Sequence, residues 1–565
     1  MSVWTDVQLL PTSLRRNVLF TVSDVTDAVA AAIPDRTLII QGDRRFTYAE
    51  VVARANRLAA YLHAQGLGMH TERDQLAGHE VGQDLVGIYA YNGPEFVESL
   101  LGAFRARVAP FNVNYRYVKA ELQYLLNDAG ASALIYHAAF APTLAEVLPD
   151  LPNLKVLIQI ADSSGNELLP GAVDYETVVN ADVAPPPVTP SPDDLYVLYT
   201  GGTTGMPKGV LWRQHDIFMA SFGGRNAMTG EPAQSAQEIV DRASAAAEMR
   251  MMILPPLMHG AAQWAVMTGI NNGQTIVFAK DVEVFNAKEI VETVAREKIA
   301  IATVVGDAMA RPLVTAIEEA MADGSHDPTS LVVVANGGAL FTPGVKGRLV
   351  AALPNAMVID GVGSSETGAQ MSHVSTASNV SSGTFTAGPA TRIVSEDFTA
   401  LLAPGHEGNG WLAQEGHVPL GYKGDAAKTA KTFPVIDDVR YAVPGDRARL
   451  LEGGTVELLG RDSVTINSGG EKIFAEEVES AIASHPAVVD VVVAGRPSER
   501  WGNEVVAVVA LVDGAAVDAT ELIEHASESI ARYKLPKAIV FRPTIVRSPA
   551  GKADYRWAKE QALQD

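Results

Sequence analysis

Tyr199-Thr-Gly-Gly-Thr-Thr-Gly-Met-Pro-Lys-Gly-Val210 is the stretch on which the reading of this chain turns. It follows directly on Tyr196–Tyr199, an apolar run that reads as a strand. Gly201, Gly202, Gly205 and Gly209 allow positive φ and let a ligand approach the backbone closely. Thr200, Thr203 and Thr204 offer hydroxyls, Lys208 offers a cation, and consecutive backbone N–H groups in such a turn form an anion nest. The loop is not the GxxxxGK[ST] phosphate loop, because Pro207 precedes Lys208 and Gly209 follows it. A plain Gly/Thr hairpin is the ordinary alternative, but it needs neither three threonines nor a lysine. The expectation is a phosphate-holding loop.

Outward from that loop, short apolar runs alternate with helical periodicity. Leu85–Tyr89, Ala133–Tyr136, Lys155–Ile160, Thr275–Phe278, Ile301–Val305, Leu331–Ala335 and Ala356–Asp360 read as strands. Glu50–Gly66 sets Ala55, Leu58, Ala59 and Leu62 at helical spacing, and Pro94–Ala106 and Ala287–Lys298 also read as helices. Strands separated by helices predict βαβ units and largely parallel sheets. Met69–Gln83 reads as a loop, and the Pro-rich Ala181–Asp194 as a stiff connector. Beyond about residue 375 short strands and turns take over. Near Gly460 a further unit begins, with helices at Glu476–Ala483 and Ala519–Arg532 and strands at Val488–Ala494, Glu504–Leu511 and Ala538–Phe541. The expected fold class is α/β. A large N-terminal domain over residues 1–460, of βαβ-type subdomains plus a β-rich subdomain, precedes a small mobile α+β domain over residues 461–565.

Composition narrows the function. The chain has 565 residues, 47% of them hydrophobic and 19% charged, which excludes global disorder. It has no cysteine, which excludes disulfides, a thiolate metal site and a cysteine nucleophile. The formal charge of −22 argues against nucleic acid as a partner. No apolar run reaches the roughly 20 residues of a membrane helix, and the ends carry neither a signal-peptide pattern nor a lipidation box. A cytoplasmic protein without integral membrane association is the expectation.

Further motifs stand in a fixed order around the glycine/threonine loop. They are Pro255-Pro-Leu-Met-His-Gly260, Asn336-Gly-Gly-Ala-Leu340, Asp360-Gly-Val-Gly-Ser-Ser-Glu-Thr-Gly368, Pro444-Gly-Asp446, Gly460-Arg-Asp-Ser-Val-Thr-Ile-Asn-Ser-Gly-Gly-Glu-Lys472 and Ser548-Pro-Ala-Gly-Lys552. Together with the loop they resemble the motifs of the adenylate-forming superfamily, which includes acyl-CoA synthetases, peptide-synthetase adenylation domains and firefly luciferase. Gly201 stands where that family usually has Ser, and Val362 where it usually has an aromatic residue against the purine.

The resemblance implies a two-step reaction. A carboxylate attacks ATP to give an acyl-adenylate and pyrophosphate, and a thiol then displaces AMP. The first step brings two anions together, so it needs cations and fixed dipoles at the α-phosphate. By resemblance, Thr200, Gly201, Gly202, Thr203, Thr204, Gly205 and Lys208 hold phosphates, and Glu366 with Thr203 holds Mg2+, a cation that takes carboxylate and phosphate oxygens. Gly337, Gly338, Ala339, Asp360, Gly361, Val362, Gly363, Ser364 and Ser365 surround the nucleotide base. Asp446 takes the ribose, Arg461 approaches the ribose or the phosphates (on spacing alone a domain-boundary salt bridge is an equal reading), and Lys552 bridges carboxylate and α-phosphate. Ser468, Gly469, Gly470, Glu471 and Lys472 face coenzyme A. The small domain would pivot at Asp462 or Ser463 between the two half-reactions. On spacing alone, Pro444-Gly-Asp446 is an ordinary turn and Lys552 a solvated tail lysine.

The same combination of motifs is similar to a bacterial branch acting on steroid side-chain, terpenoid and fatty carboxylates. His259, Gly260, Ala261, Trp264 and Gly363 are the expected substrate pocket, with Ala262 small and Met258 and Met267 as adaptable walls; core packing is an equal reading for Trp264 and Met267. The expected function is an ATP-dependent acyl-CoA ligase for a bulky apolar carboxylic acid, monomeric or homodimeric. An acyl-AMP ligase loading a carrier protein, and a binding protein that has lost catalysis, stay open as alternatives.

Overall fold

The computed structural model describes residues 19–202, 205–226, 229–380, 383–461, 464–468, 471–498, 501–547 and 552–564. Thr203, Thr204, Asp462, Ser463, Gly469 and Gly470, all expected in the site, lie outside them. So do the side chains of Gly201, Gly202, Gly205, Glu471 and Lys472.

The first sheet is built around Leu85–Tyr89, buried at every position, as a strand covered on both faces must be. It pairs in parallel with Ala109–Asn112 on one side and Ala133–His137 on the other, and Val156–Ile160 and Ala172–Asp174 extend the parallel run. Helix Pro94–Arg105, opened by Pro at its first turn, makes the crossover between the first two strands. Helix Tyr48–Ala64 packs on it with Ala55, Leu58, Ala59 and Leu62 all fully buried. Thr47 and Glu50 close the start of that helix with a reciprocal capping box. On the other edge, Leu195–Gly202 runs parallel to Ala109–Asn112 and then turns back into Gly205–Arg213.

The second sheet begins with the hairpin Thr37–Gln41/Arg44–Thr47 and continues in parallel through Thr275–Phe278, Arg250–Ile253, Ile301–Val304, Val333–Gly337 and Met357–Ser364. There the chain folds back as Gly368–Ser375 and every later pairing is antiparallel, out to Val435–Ile436. The β-rich region after residue 375 is therefore a continuation of this sheet, not a sheet of its own. The reason is local: the three residues between Ser364 and Gly368 leave no room for a crossover helix, so the direction of pairing reverses.

Thr455–Arg461 is the last strand of the large sheet, and Ile466–Ser468 belongs to a third sheet with Glu471–Ile473, Val488–Ser498, Gly502–Leu511 and Ala538–Phe541. Helices Ala475–Ala483 and Ala519–Ser527 bury one face against it, and Tyr555–Ala562 packs on its strands as well. The helix expected over Ala519–Arg532 stops at Ser527. Ser527 and Ser529 hydroxyls donate back to Glu524 O and Ala526 O at 2.6 and 3.2 Å, offering the backbone an alternative to the helical ladder.

A buried cluster pins the chain start onto the end of the Gly205–Arg213 strand. Phe20 N–H donates to His215 Nδ1 at 3.1 Å, which fixes the hydrogen of a neutral His215 on Nε2. Asp216 is bonded by His417 Nδ1 at 2.9 Å and by Arg213 Nε at 2.6 Å. His215, Asp216 and His417 have the spacing of metal ligands. Yet the tautomer of His215 and the cation on Asp216 make the group self-satisfied.

Candidate active site

Several of the expected site residues stand at the carboxyl ends of parallel strands, where open α/β sheets bind ligands, and others come from the antiparallel part of the second sheet and from the small domain. The first contributor is the glycine/threonine loop. Thr200 pairs with Lys208 and Gly202 with Gly205, so the loop is the tip of a tight β-hairpin with a bulge between Thr200 and Gly202. The hairpin set aside on sequence grounds is thus present, and the hairpin is what aims the loop. Tyr199, its last buried aromatic, donates to Asp128 at 2.7 Å and fixes the base of the tip. Lys208 forms an ion pair with Asp425, the N-cap of helix Ala426–Thr432.

Two asparagines, missed in the sequence, hold the Pro255–Gly260 segment. Asn112 receives the Tyr199 N–H at 2.8 Å and donates to Tyr199 O at 2.8 Å and Met258 O at 2.6 Å. Asn92 donates to Pro255 O at 3.0 Å and accepts from Leu257 N–H at 2.7 Å. Each amide stands at or just beyond the end of a strand of the first sheet and grips a segment of the second. Their positions after Leu85–Tyr89 and at the end of Ala109–Asn112 were the available signal.

His259 ends that segment as the N-cap residue of helix Gly260–Asn271. Its Nε2 is buried and makes no hydrogen bond to any described residue. Burial first, then the positive charges of Lys552 and Arg116, push its pKa down to about 4, so the imidazole is neutral at physiological pH. A side chain at Gly260 would press on Leu198 and Trp264. Trp264 is half-buried against the core and Ala261 is exposed, while Met258, Ala262 and Met267 are core residues. Packing is therefore the observed role of Met267.

The loop 337–340 is ordered by Asn336. Its amide donates to Ala339 O at 3.1 Å and to Asp360 Oδ1 at 3.0 Å, and its oxygen accepts from Gly306 N–H at 2.7 Å. Asp360 also pairs with Lys346, which is 1% exposed. The Asp360 carboxylate thereby ties this loop to Lys346 and Asn336. Gly337 ends its strand, Gly338 has φ +83°, and Ala339 follows.

Gly361 and Gly363 are exposed and Val362 half-buried, with a bulge at Val362/Gly363. A Cβ at Gly363 would collide with Gly368 O, so glycine is required there by the closeness of the hairpin. In the turn, Ser364 N–H donates to Thr367 Oγ1 at 2.9 Å and Glu366 N–H to Ser364 Oγ at 3.2 Å. Trp212 Nε1 of the glycine/threonine hairpin donates to Ser365 O at 2.9 Å, tying the two loops together. Glu366 is half-buried and accepts the Tyr422 hydroxyl on Oε1 at 2.6 Å.

Asp446 and Arg461 are paired positions on neighbouring strands, and Arg461 Nε donates to Asp446 Oδ1 at 3.1 Å. Asp446 is the largest cause of a raised Arg461 pKa. Glu476 of the small domain accepts the Arg461 N–H at 3.3 Å. Ser468 is buried in the third sheet, opposite Glu471 on one side and Gly502 on the other.

Lys552 brings these parts together. Its Cε lies 3.9 Å from where a Cβ on Gly338 would stand. The crowded surroundings lower its pKa, chiefly by burial and then by Arg461, against the attraction of Glu366 and Asp446. The residue remains open to solvent, so it occupies a deep cleft and not a closed core. Lys552, His259, Glu366, Asp446, Arg461 and Gly338 thus share one cleft in this arrangement of the chain. Two carboxylates, a neutral imidazole and two cations around glycine-rich backbone can hold and neutralise charge on a phosphorylated, metal-bound ligand.

Comparison with known proteins agrees with this chemistry. Residues 26–422 match the family described as AMP-binding enzyme, and residues 477–552 the AMP-binding enzyme C-terminal domain. The chain is 73% identical over 545 residues to the medium-chain acyl-CoA ligase Mig of Mycobacterium avium, covering 96% of this chain and 98% of that one. It is 40% identical over 557 residues to a medium/long-chain-fatty-acid–CoA/3-oxocholest-4-en-26-oate–CoA ligase of Mycobacterium marinum, covering 96% and 97%. Among solved structures, ATP-bound MatB of Rhodopseudomonas palustris has the same fold, with a TM-score of 0.76 at 21% identity over 96% of this chain and 99% of that one. The chain belongs to the AMP-binding, adenylate-forming enzymes and is an ATP-dependent acyl-CoA ligase.

Proposed function

We propose that this ligase activates medium- to long-chain fatty acids and accepts a steroid side-chain carboxylate, and that the cleft around Lys552 performs the adenylation step. The observation that carries the second part is the convergence of Lys552 and His259 with Glu366, Asp446 and Arg461. The relatives named for medium-chain, long-chain and steroid acids support the first.

In this reading a carboxylate oxygen attacks the α-phosphorus, the bond to the β-phosphate oxygen breaks, and pyrophosphate leaves. Lys552 draws the two anions together. His259, uncharged, borders the acid without repelling Lys552. Asp446 accepts the ribose hydroxyls, and Arg461 keeps Asp446 oriented. The glycine/threonine hairpin and Lys208 hold the phosphates. Glu366, with the Thr203 hydroxyl, offers the hard oxygen donors that Mg2+ prefers, and the ion would supply charge neutralisation on the triphosphate. Thioester formation then needs Lys552 to leave and the 468–472 loop to arrive, by rotation of residues 461–565 about Asp462 or Ser463. The reaction draws on ATP and coenzyme A, which suits a cytoplasmic enzyme working as a monomer or homodimer. Among the described residues no helix is long and apolar enough to cross a membrane.

The test measures AMP release with acetate, decanoate, palmitate and 3-oxocholest-4-en-26-oate, with and without coenzyme A. Coenzyme A-dependent turnover of the last three, well above acetate, is expected. Preference for acetate would overturn the substrate assignment.

A further inference from the structure

Lys208 and Glu366 come from motifs at the phosphate end of the cleft, but three neighbours come from a segment with no motif of its own. The strand Gly421–Tyr422 pairs with the second strand of the phosphate hairpin, with Gly421 opposite Leu211 and Tyr422 opposite Val210. Lys423 N–H donates to Gly209 O at 2.8 Å, and Lys423 Nζ to Asp128 O at 2.8 Å. The segment is thus fastened to the hairpin on one side and to the helix Lys119–Ala129 on the other. It then turns into helix Ala426–Thr432, whose N-cap Asp425 uses Oδ1 for the Lys428 N–H at 2.9 Å and Oδ2 for Lys208. One turn into the helix, Lys428 Nζ lies 4.0 Å from the centre of the Tyr422 ring, whose hydroxyl bonds Glu366. Lys428 is half-buried and feels Glu366, Lys208 and Asp425. Two lysines and two carboxylates therefore alternate within one small volume.

We propose that Asp425 is the exchange partner of Lys208, yielding it to the triphosphate when ATP binds and recapturing it as pyrophosphate leaves, while Lys428 is a second, fixed cation for the same phosphates. This rests on the reading of Lys208 as a phosphate ligand. The argument is competition. Lys208 is within reach of two anions, a carboxylate anchored by its own helix cap and the phosphates of the nucleotide. Any free energy in the Lys208–Asp425 pair is subtracted from the affinity for ATP, because only the fraction of enzyme with Lys208 released is competent. The same competition loosens pyrophosphate and so favours its departure. Among the described residues Lys428 has no comparable carboxylate pair, and an aromatic face steadies it, so its charge stays in place. The Lys208–Lys428 repulsion, offset by Asp425, makes the pair of lysines a stronger anion site once Asp425 lets go.

Titration calorimetry of the full chain with ATP, pyrophosphate and AMP separates the outcomes, with melting temperature followed in parallel. Asp425→Asn keeps a good helix cap and removes the charge. It is expected to tighten both ATP and pyrophosphate by about three- to fivefold, the size of a part-exposed ion pair, and to leave AMP unchanged. Lys428→Gln is expected to weaken ATP and pyrophosphate by a similar factor, again without effect on AMP. Weaker or unchanged ATP binding in Asp425→Asn, or equal shifts for AMP, would overturn the proposal. Lys208→Gln provides the separate check: if it leaves ATP affinity unchanged, the assignment of Lys208 to the phosphates fails first. If it weakens ATP while Asp425→Asn does not tighten it, only the exchange fails.

Discussion

Tyr422 donates its phenolic hydrogen to Glu366 Oε1 across 2.6 Å. The two are 56 positions apart, and the bond joins the strand that flanks the phosphate hairpin to the turn that carries the carboxylate. A hydrogen bond to a charged group is worth about 1.5–3 kcal/mol. Tyr422→Phe keeps the ring under Lys428 and removes only the hydroxyl. The expected result is a fall of about tenfold or more in acyl-adenylate formation, with little change in conversion of supplied acyl-AMP to thioester. Comparing the two half-reactions by single-turnover kinetics checks it; equal loss in both would place Tyr422 outside the adenylation step.

Lys552 gives a pH signature. Its working form is the cation, and burial with the Arg461 charge lowers its pKa below the ordinary lysine value of 10.5. Adenylation should therefore decline at alkaline pH before an ordinary lysine would lose its proton. Lys552→Arg carries a charge that does not titrate in that range, so its residual activity should lack the alkaline decline. Lys552→Ala should lose adenylation by several orders of magnitude yet still make thioester from supplied acyl-AMP. Rate–pH profiles of pyrophosphate release for wild type and Lys552→Arg are the measurement, and parallel declines would refute the role.

Much of the fold was legible because its strands are short apolar runs with clear ends. Leu85–Tyr89, Thr275–Phe278 and Ala538–Phe541 stand where periodicity put them. Ala109–Asn112 was not legible: four residues containing Pro110 carry no period-two signal, and parallel neighbours define that strand. The site was legible only where motif and resemblance spoke. Asp360 stood in a motif, but spacing cannot reveal that Lys346 would be buried against it. Asn112 reaching Met258 across 146 positions, and Tyr422 reaching Glu366, are products of sheet order, which no local pattern encodes.

Asn112 makes a prediction of its own. Its amide satisfies the Tyr199 backbone and the Met258 carbonyl at once, and the residue is 5% exposed. Asn112→Leu keeps the volume and strands these buried backbone groups. A destabilisation of about 2–4 kcal/mol is expected from urea unfolding. Because Met258 precedes His259, KM for the carboxylic acid should rise while ATP affinity changes little. A loss of stability without that KM effect would make Asn112 a purely architectural residue.

Glu479 ties the stability of the small domain to pH. It is 8% exposed on helix Ala475–Ala483 and accepts from Val493 N–H at 2.8 Å and from the Tyr555 hydroxyl at 3.3 Å. Burial first, then the neighbouring charge of Glu476, raises its pKa from 4.5 to about 8. The folded state thus keeps a proton that the unfolded chain releases above about pH 4.5. The stabilisation is fully present below that value and is lost as pH rises toward 8, at up to about 1.4 kcal/mol per unit. Above 8 both states are ionised and the slope from this group ends. Glu479→Gln mimics the protonated form at every pH. Its stability relative to wild type should therefore increase from pH 5 to pH 8 and then level off, read from urea midpoints of the full chain across that range. Tyr555 is three residues beyond Lys552 and opens the helix that follows it, so the same variant should hold adenylation activity better than wild type toward pH 8. A stability difference that shrinks with rising pH would show that Glu479 is ionised in the folded domain.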